Sequence, residues 1–212
     1  MKQKLNFILM ADIIDSRKKD QQKLMTAFKN VITEINIQER KKLRSPMTIT
    51  LGDEFQSVVS NLSSGIHIIL QLEEFIISKK LDFKLRYVLV EGEIETPINR
   101  KIAHEMLGSG LTDAREMLHQ LKESKNRYKV KLQNQKLEEA INHTFTAFQG
   151  LINDWKSSLD QQIALKFIEN VGYKQIAAEV NREKSVIWKR KFSLKVEEYI
   201  SLKKVLIYLS KK

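Results

Sequence analysis

LNFILMADIIDSR, residues 5–17, begins as a nearly unbroken apolar run and closes on two carboxylates and a cation. A short apolar run bounded by polar residues reads as a strand buried on both faces. That strand, residues 5–14, would present Asp12 and Asp15 at its C-terminal end. Working outward, residues 21–37 place Leu24, Phe28, Val31, Ile32 and Ile35 on one helical face. The basic stretch QERKKLRSP, residues 38–46, reads as a loop. Residues 47–51 and 55–59 are β-prone runs flanking Gly52-Asp53-Glu54, a hairpin with charge at its tip. Residues 63–78 have helical spacing through Ile66, Ile69, Leu70 and Phe75, residues 83–90 read as a strand, and Glu91-Gly92-Glu93 as a turn.

The resulting order, β-α-β-β-α-β, is that of a ferredoxin-like, or palm, domain. Beyond it, residues 98–105 show no clear period, Gly108-Ser109-Gly110 introduces a helix over 111–122, and residues 128–132 suit one more strand. Residues 136–155 carry Leu137, Ile141, Phe145, Phe148, Leu151 and Ile152 on an apolar stripe, a connecting helix. No Pro/Gly-rich linker and no internal repeat interrupts the chain. The expected architecture is α+β: a palm-like domain over residues 1–135, a connecting helix over 136–158 and an all-α domain over 159–212.

Composition narrows the chemistry. The 212 residues include no cysteine, which excludes disulfides, thiolate metal sites and a cysteine nucleophile. Lys2 and Lys4 precede the first apolar run, but Asp12 and Asp15 interrupt it too soon for a signal peptide. No stretch approaches the roughly 20 apolar residues of a membrane span, so a cytoplasmic protein without membrane insertion is expected. His67, His104, His119 and His143 show no metal-ligand spacing. The net charge is +11. Residues 1–150 hold 24 Lys and Arg against 19 Asp and Glu, whereas residues 151–212 hold 13 against 7, so the excess is concentrated at the C-terminus, as a polyanionic partner would favour.

That segment contains YKQIAAEVNREKSVIWKRK, residues 173–191. Residues 159–170 form a helix with Gly172 as its stop, residues 173–180 a short helix, Asn181 a left-handed turn, and residues 184–195 the next helix. Ile176, Val180 and Ile187 would pack between the pair, with Trp188 and Phe192 as core. Ser185, Val186, Lys189 and Arg190 are then the candidates for base edges and phosphates of double-stranded DNA. The stretch resembles the helix-turn-helix of sigma-factor-like bacterial regulators, with Asn181 in place of the usual Gly. The alternative is a plain helical hairpin with a solvated cationic face. Residues 196–209, with Val196, Ile200, Val205, Leu206 and Leu209, suggest a dimerisation helix and hence a homodimer.

In the first domain, ADIIDSR and LGDEFQ bring Asp12 and Asp53 to adjacent strand ends. Two close carboxylates repel unless a cation lies between them, and Mg²⁺ with nucleotide phosphates is the usual solution. The pattern is similar to class III nucleotide cyclases, whose Asp-Ile after the first strand and Gly-Asp hairpin hold two metals; the matching positions are Asp12-Ile13 and Gly52-Asp53. LGSGLTDAREML, residues 107–118, matches the cyclase helix with its charge-stabilising Arg at Arg115, with Leu111 at the Asn position. The bland alternative makes Asp12, Asp15 and Asp53 surface carboxylates capping turns. Taken together, MADIIDSRK, GDEFQ, the GSGL-DAR helix and the terminal helix-turn-helix resemble the bacterial SatD family. The expectation is a DNA-binding regulator whose palm-like domain senses a nucleotide, with Mg²⁺ on Asp12 and Asp53 and phosphate on Arg115. The alternative is a Mg-dependent nucleotide-processing enzyme, of cyclase or nucleotidyltransferase type, recruited to nucleic acid by its basic tail.

Overall fold

A computed structural model describes residues 5–212, so Lys2 and Lys4 of the signal-peptide argument lie outside the described residues. The first strand, β1 (Leu5–Ile13), is central in a five-stranded sheet, and α1 (Gln21–Gln38) follows it. Then come β2 (Leu43–Ile49), β3 (Glu54–Val59), α2 (Leu62–Ser78) and β4 (Leu85–Glu93). The spatial order is β2-β3-β1-β4-β5, where β5 (Tyr128–Lys131) adds in parallel to β4 and the other pairs are antiparallel. The first four strands thus have the arrangement that a ferredoxin-like element order produces.

β1 is apolar throughout because both its faces are covered. Leu9, Ala11 and Ile13 join the core beneath α1 and α2, whereas Ile8 and Met10 join a second core beneath α3 (Ser109–Lys122). Gly92 and Gly110 let the start of α3 approach β4: a Cβ at Gly110 would meet Gly92 C at 2.7 Å and Glu93 N at 2.8 Å.

Two local expectations are corrected. The basic stretch after α1 is only partly loop, since β2 begins at Leu43 and runs through Pro46. β2 is an edge strand with register shifts on either side of Ser45, and an edge tolerates the donor that proline lacks. Glu91-Gly92-Glu93 is no turn but the end of β4, with Glu93 paired to Leu5 of β1. Residues 98–105 form neither helix nor strand; they are fastened by Gln56 Nε2 donating to Ala103 O at 2.7 Å and Ser45 Oγ to Asn99 O at 2.5 Å.

The C-terminal half is helical: α4 (Gln135–Asp154), α5 (Ser158–Ile168), α6 (Tyr173–Glu179), α7 (Lys184–Ser193) and α8 (Val196–Leu209). α5 ends earlier than Gly172. Asn170 takes the left-handed conformation (φ 62°), and the Val171 amide donates back to Lys166 O at 2.9 Å, a Schellman stop. Asn181 does the same after α6 (φ 50°), with the Arg182 amide on Ala177 O at 2.9 Å. Lys195 (φ 53°) separates α7 from α8.

These helices share one hydrophobic core with the sheet, running from Leu9 through Phe145 and Phe148 to Ile187 and Leu206. Trp155 is buried and its indole donates to Leu194 O at 2.9 Å. Phe148 packs on Tyr199 at 4.8 Å, and the Tyr199 hydroxyl lies 3.0 Å from Glu74 of α2. α8 packs on α4 and α2 of the same chain through Val196, Tyr199 and Leu206, which are buried, while Val205 stays exposed. Beneath it, Arg127 grips Glu73 of α2 with two bonds, Nη1 to Oε1 at 3.0 Å and Nη2 to Oε2 at 2.8 Å, and donates further to Leu85 O and the Tyr128 hydroxyl. No helix among the described residues is long and apolar enough to cross a membrane.

Candidate functional site

The C-terminal end of β1 opens into a cleft of about 700 Å³ between the Asp15–Lys18 turn and the β2–β3 hairpin. Asp15 adopts the left-handed conformation (φ 55°) and turns the chain back over the strand end. Opposite it, Gly52 (φ 82°) allows the hairpin to fold tightly, and Asp53 follows at the tip. The two loops are clasped: the Ile13 amide donates to Asp53 O at 2.9 Å, and Ser16 Oγ donates to Asp53 Oδ2 at 2.6 Å. Asp12 and Asp53 both line the cleft, as expected from the motifs.

Antiparallel pairing puts Glu54, Asp12 and Arg86 side by side on the sheet face that α3 covers. Arg86 Nη1 donates to Asp12 Oδ2 at 2.8 Å, and Lys122 Nζ, from the end of α3, lies 3.4 Å from the same oxygen and 2.9 Å from Glu54 Oε1. Asp12 is 2% exposed, and its other oxygen, Oδ1, has no hydrogen-bond partner. Burial pushes the Asp12 carboxyl above the usual carboxylate range by more than Arg86 and Lys122 pull it down. Burial pulls the Lys122 amine down, but Glu54 and Asp12 together hold it above its ordinary value.

Arg86 and Lys122 escaped the sequence reading. One signal was present: a single Arg inside the apolar run of β4 must find a partner when that strand is buried, but its identity depends on register. Arg115 is not in this cleft. It precedes Lys122 by seven residues on the same helix, about 10 Å along its axis, and lines a separate depression with Gln56, His104 and Met106.

In the C-terminal helices, Ile176 and Ile187 are buried as expected of the helical pair, Val180 is only half-buried, and Ala177 is buried as well. Ser185, Val186 and Lys189 are exposed on α7. Arg190 is not directed outward: its guanidinium is paired with Asp160 of α5, because a carboxylate in the first turn of α5 faces that side of α7. Trp188 and Phe192 were expected in the core and are instead 48% and 61% exposed. Ile187 and Leu194 already fill the inward side of α7, and Trp188 and Phe192 fall on another.

The sequence model of the SatD family matches residues 6–209, nearly the whole chain. Among curated proteins none matches. Among solved structures the chain is similar to a bacterial light-regulated adenylyl cyclase, with 14% identity over 59% of this chain and 74% of that one and a TM-score of 0.46. It is also similar to the guanylyl cyclase domain of the RhoGC fusion protein from the aquatic fungus Blastocladiella emersonii, with 14% identity over 55% of this chain and 74% of that one and a TM-score of 0.40. The adenylyl cyclase CyaB from P. aeruginosa follows, with 8% identity over 57% of this chain and 74% of that one and a TM-score of 0.37.

Proposed function

We propose that this chain, which belongs to the SatD family, binds a nucleoside polyphosphate together with a divalent cation in the cleft at the end of β1. The observation that carries the reading is Asp12, a buried carboxylate whose Oδ1 has no hydrogen-bond partner, in a cleft that Asp53, Arg17, Lys18, Arg86 and Lys122 also line. Burial of Asp12 outweighs its two cations, so further positive charge is favourable there. The donor set suits magnesium, which is commonly held by one or two carboxylates while phosphates complete its shell. Asp12 and Asp53 would hold it, and it would neutralise phosphate charge and polarise a phosphoryl oxygen.

The remaining work falls to the chain's own groups. Arg86 fixes the Asp12 carboxylate by its Oδ2, leaving Oδ1 free. Ser16 fixes Asp53 in the same way. Lys122, shared between Asp12 and Glu54, can turn to a phosphate without crossing the cleft, and Lys18 and Arg17 supply charge from the facing turn. Calorimetric titration with ATP and with GTP, with and without Mg²⁺, tests the reading on wild type and Asp53→Ala. Mg-dependent binding lost in the variant is expected, and heat that is absent from every wild-type titration removes it. Turnover of the bound nucleotide in the same samples would favour the enzyme reading over the sensor.

A second reading concerns α6 and α7. The left-handed turn at Asn181, the buried Ile176, Ala177 and Ile187, and the exposed Ser185, Val186 and Lys189 support a nucleic-acid-facing helix-turn-helix. On it the chain acts as a regulator that meets duplex DNA while the cleft senses nucleotide. Binding of a labelled duplex that weakens steeply with salt is the expected outcome.

A further inference from the structure

The protein has aromatic contacts both in its core and on the surface of its C-terminal helices. Tyr87, Tyr128 and Phe145 stack nearly parallel inside the core, at 5.5 and 4.7 Å. Tyr173, Trp188 and Phe192 instead form a ladder on the surface of α6 and α7, with ring centroids 5.3 and 5.5 Å apart and planes tilted by 65° and 76°. No pair in this ladder lies face on face. Trp188 and Phe192 remain 48% and 61% exposed.

The surrounding charges are sorted as well. Lys166 is paired with Glu179, Arg190 with Asp160, Lys191 with Glu197 and Lys195 with Asp154. Lys174, beside Tyr173, and Arg182, Lys184 and Lys189, around the start and outer side of α7, have no acidic partner among the described residues. Glu183 is the acidic residue among them, and it too is exposed. The free cations of this region thus border the aromatic ladder, while those farther along α7 are neutralised within the chain.

We propose that this ladder is a stacking platform for single-stranded nucleic acid, whose bases lie on Trp188 and Phe192 while Lys174, Arg182, Lys184 and Lys189 meet its phosphates. The proposal rests on the reading of α7 as a nucleic-acid surface and differs from it in the ligand, a single strand in place of the duplex. Exposed rings bordered by unpaired cations are what a flexible polyanion with unpaired bases requires, since stacking uses the ring face and charge follows the backbone. A paired duplex hides its base faces and offers these rings only edges and phosphates. A second copy of the chain fits less well. It would bring the same unpaired cations against themselves, and like charges set face to face across an interface are costly.

The chain carries its own probe. It has two tryptophans, of which Trp155 is buried and hydrogen-bonded to Leu194 O, so a ligand on the surface alters the emission of Trp188. The full chain is titrated with labelled 15-mers of oligothymidylate and oligouridylate and with a 15-base-pair duplex, reading anisotropy and tryptophan emission. Single strands are expected to bind with quenching, and the stronger of the two identifies DNA or RNA as the source. The Trp188→Ala/Phe192→Ala variant is expected to lose at least about tenfold in affinity with unchanged thermal midpoint, and Trp188→Phe to retain most of it.

Equal binding by wild type and the double variant, or binding without quenching, overturns the stacking platform while leaving α7 a nucleic-acid surface. Failure of every oligonucleotide, duplex included, overturns both. A concentration-dependent dimer that the double variant abolishes, without oligonucleotide binding, overturns the proposal in favour of a second copy.

Discussion

Replacing Glu73 by alanine should destabilise the protein by about 3–5 kcal/mol, the cost of removing one partner from a buried ion pair. Both side chains of the Glu73–Arg127 pair are 6% exposed, so water cannot stand in for the missing carboxylate. Arg127 would keep its bonds to Leu85 O and the Tyr128 hydroxyl, but neither carries a countercharge. Its guanidinium is held above its ordinary pKa by Glu73 despite burial, and stays charged when Glu73 is gone. For a chain of this length each kcal/mol lowers the thermal midpoint by about 2–4 °C, giving a fall of about 6–20 °C. Urea unfolding followed by circular dichroism, with calorimetry alongside, reads both quantities. The Glu73→Leu/Arg127→Met variant, which removes both charges at similar volume, should recover most of the loss, short of the bond that the Tyr128 hydroxyl forfeits. If Glu73→Ala costs less than about 1 kcal/mol, the pair behaves as an exposed one and the reasoning is refuted.

Asp12 makes a prediction of opposite sign. Burial lifts its folded pKa above that of an ordinary aspartate, so between the folded and unfolded values the folded state holds a proton that the unfolded chain releases. Its contribution to stability therefore declines as pH rises through that window. Asp12→Asn should remove this component, seen as a flatter pH dependence of the urea midpoint in the acid range, and abolish Mg-dependent nucleotide binding; a variant with unaltered binding would exclude Asp12 from the site. In wild type that binding should strengthen as pH rises through the same range, as the proton ceases to compete with the cation. Lys122→Ala should weaken nucleotide affinity, while Arg115→Ala, in its separate depression, should leave it within twofold in the calorimetric titration. On α7, Lys189→Ala should lower the slope of log affinity against log salt by about 0.9 for a duplex. Arg190→Ala should leave that slope unchanged and lower the thermal midpoint, because its partner is Asp160.

The order of elements was readable because burial imposes period: β1 is apolar on both faces, and α1 and α4 carry single stripes. Misreadings arose where one residue outweighed its context. Pro46 suggested a loop although an edge strand accepts it, and Gly92 suggested a turn although it admits the start of α3. Asp12 and Asp53 were legible as motif residues, and both line one cleft. Their partners were not, because Arg86 reaches Asp12 only through the β1–β4 register and Lys122 only through the seating of α3. Trp188 and Phe192 misled for a related reason. Hydrophobicity implies burial unless the inward positions are already occupied, and here Ile187 and Leu194 occupy them.

The tight seat of α3 against β4 has a mechanical meaning. A 14-residue helix is a rod about 21 Å long, anchored at one tip where Gly110 touches Gly92 and carrying Lys122 at the other. A side chain at Gly110, whose Cβ would meet Gly92 C at 2.7 Å, should tilt the rod and swing the amine away from Asp12 and Glu54. A glycine outside the pocket lining would thereby set the pocket's electrostatic tuning, and drift at that position would detune it without touching its lining.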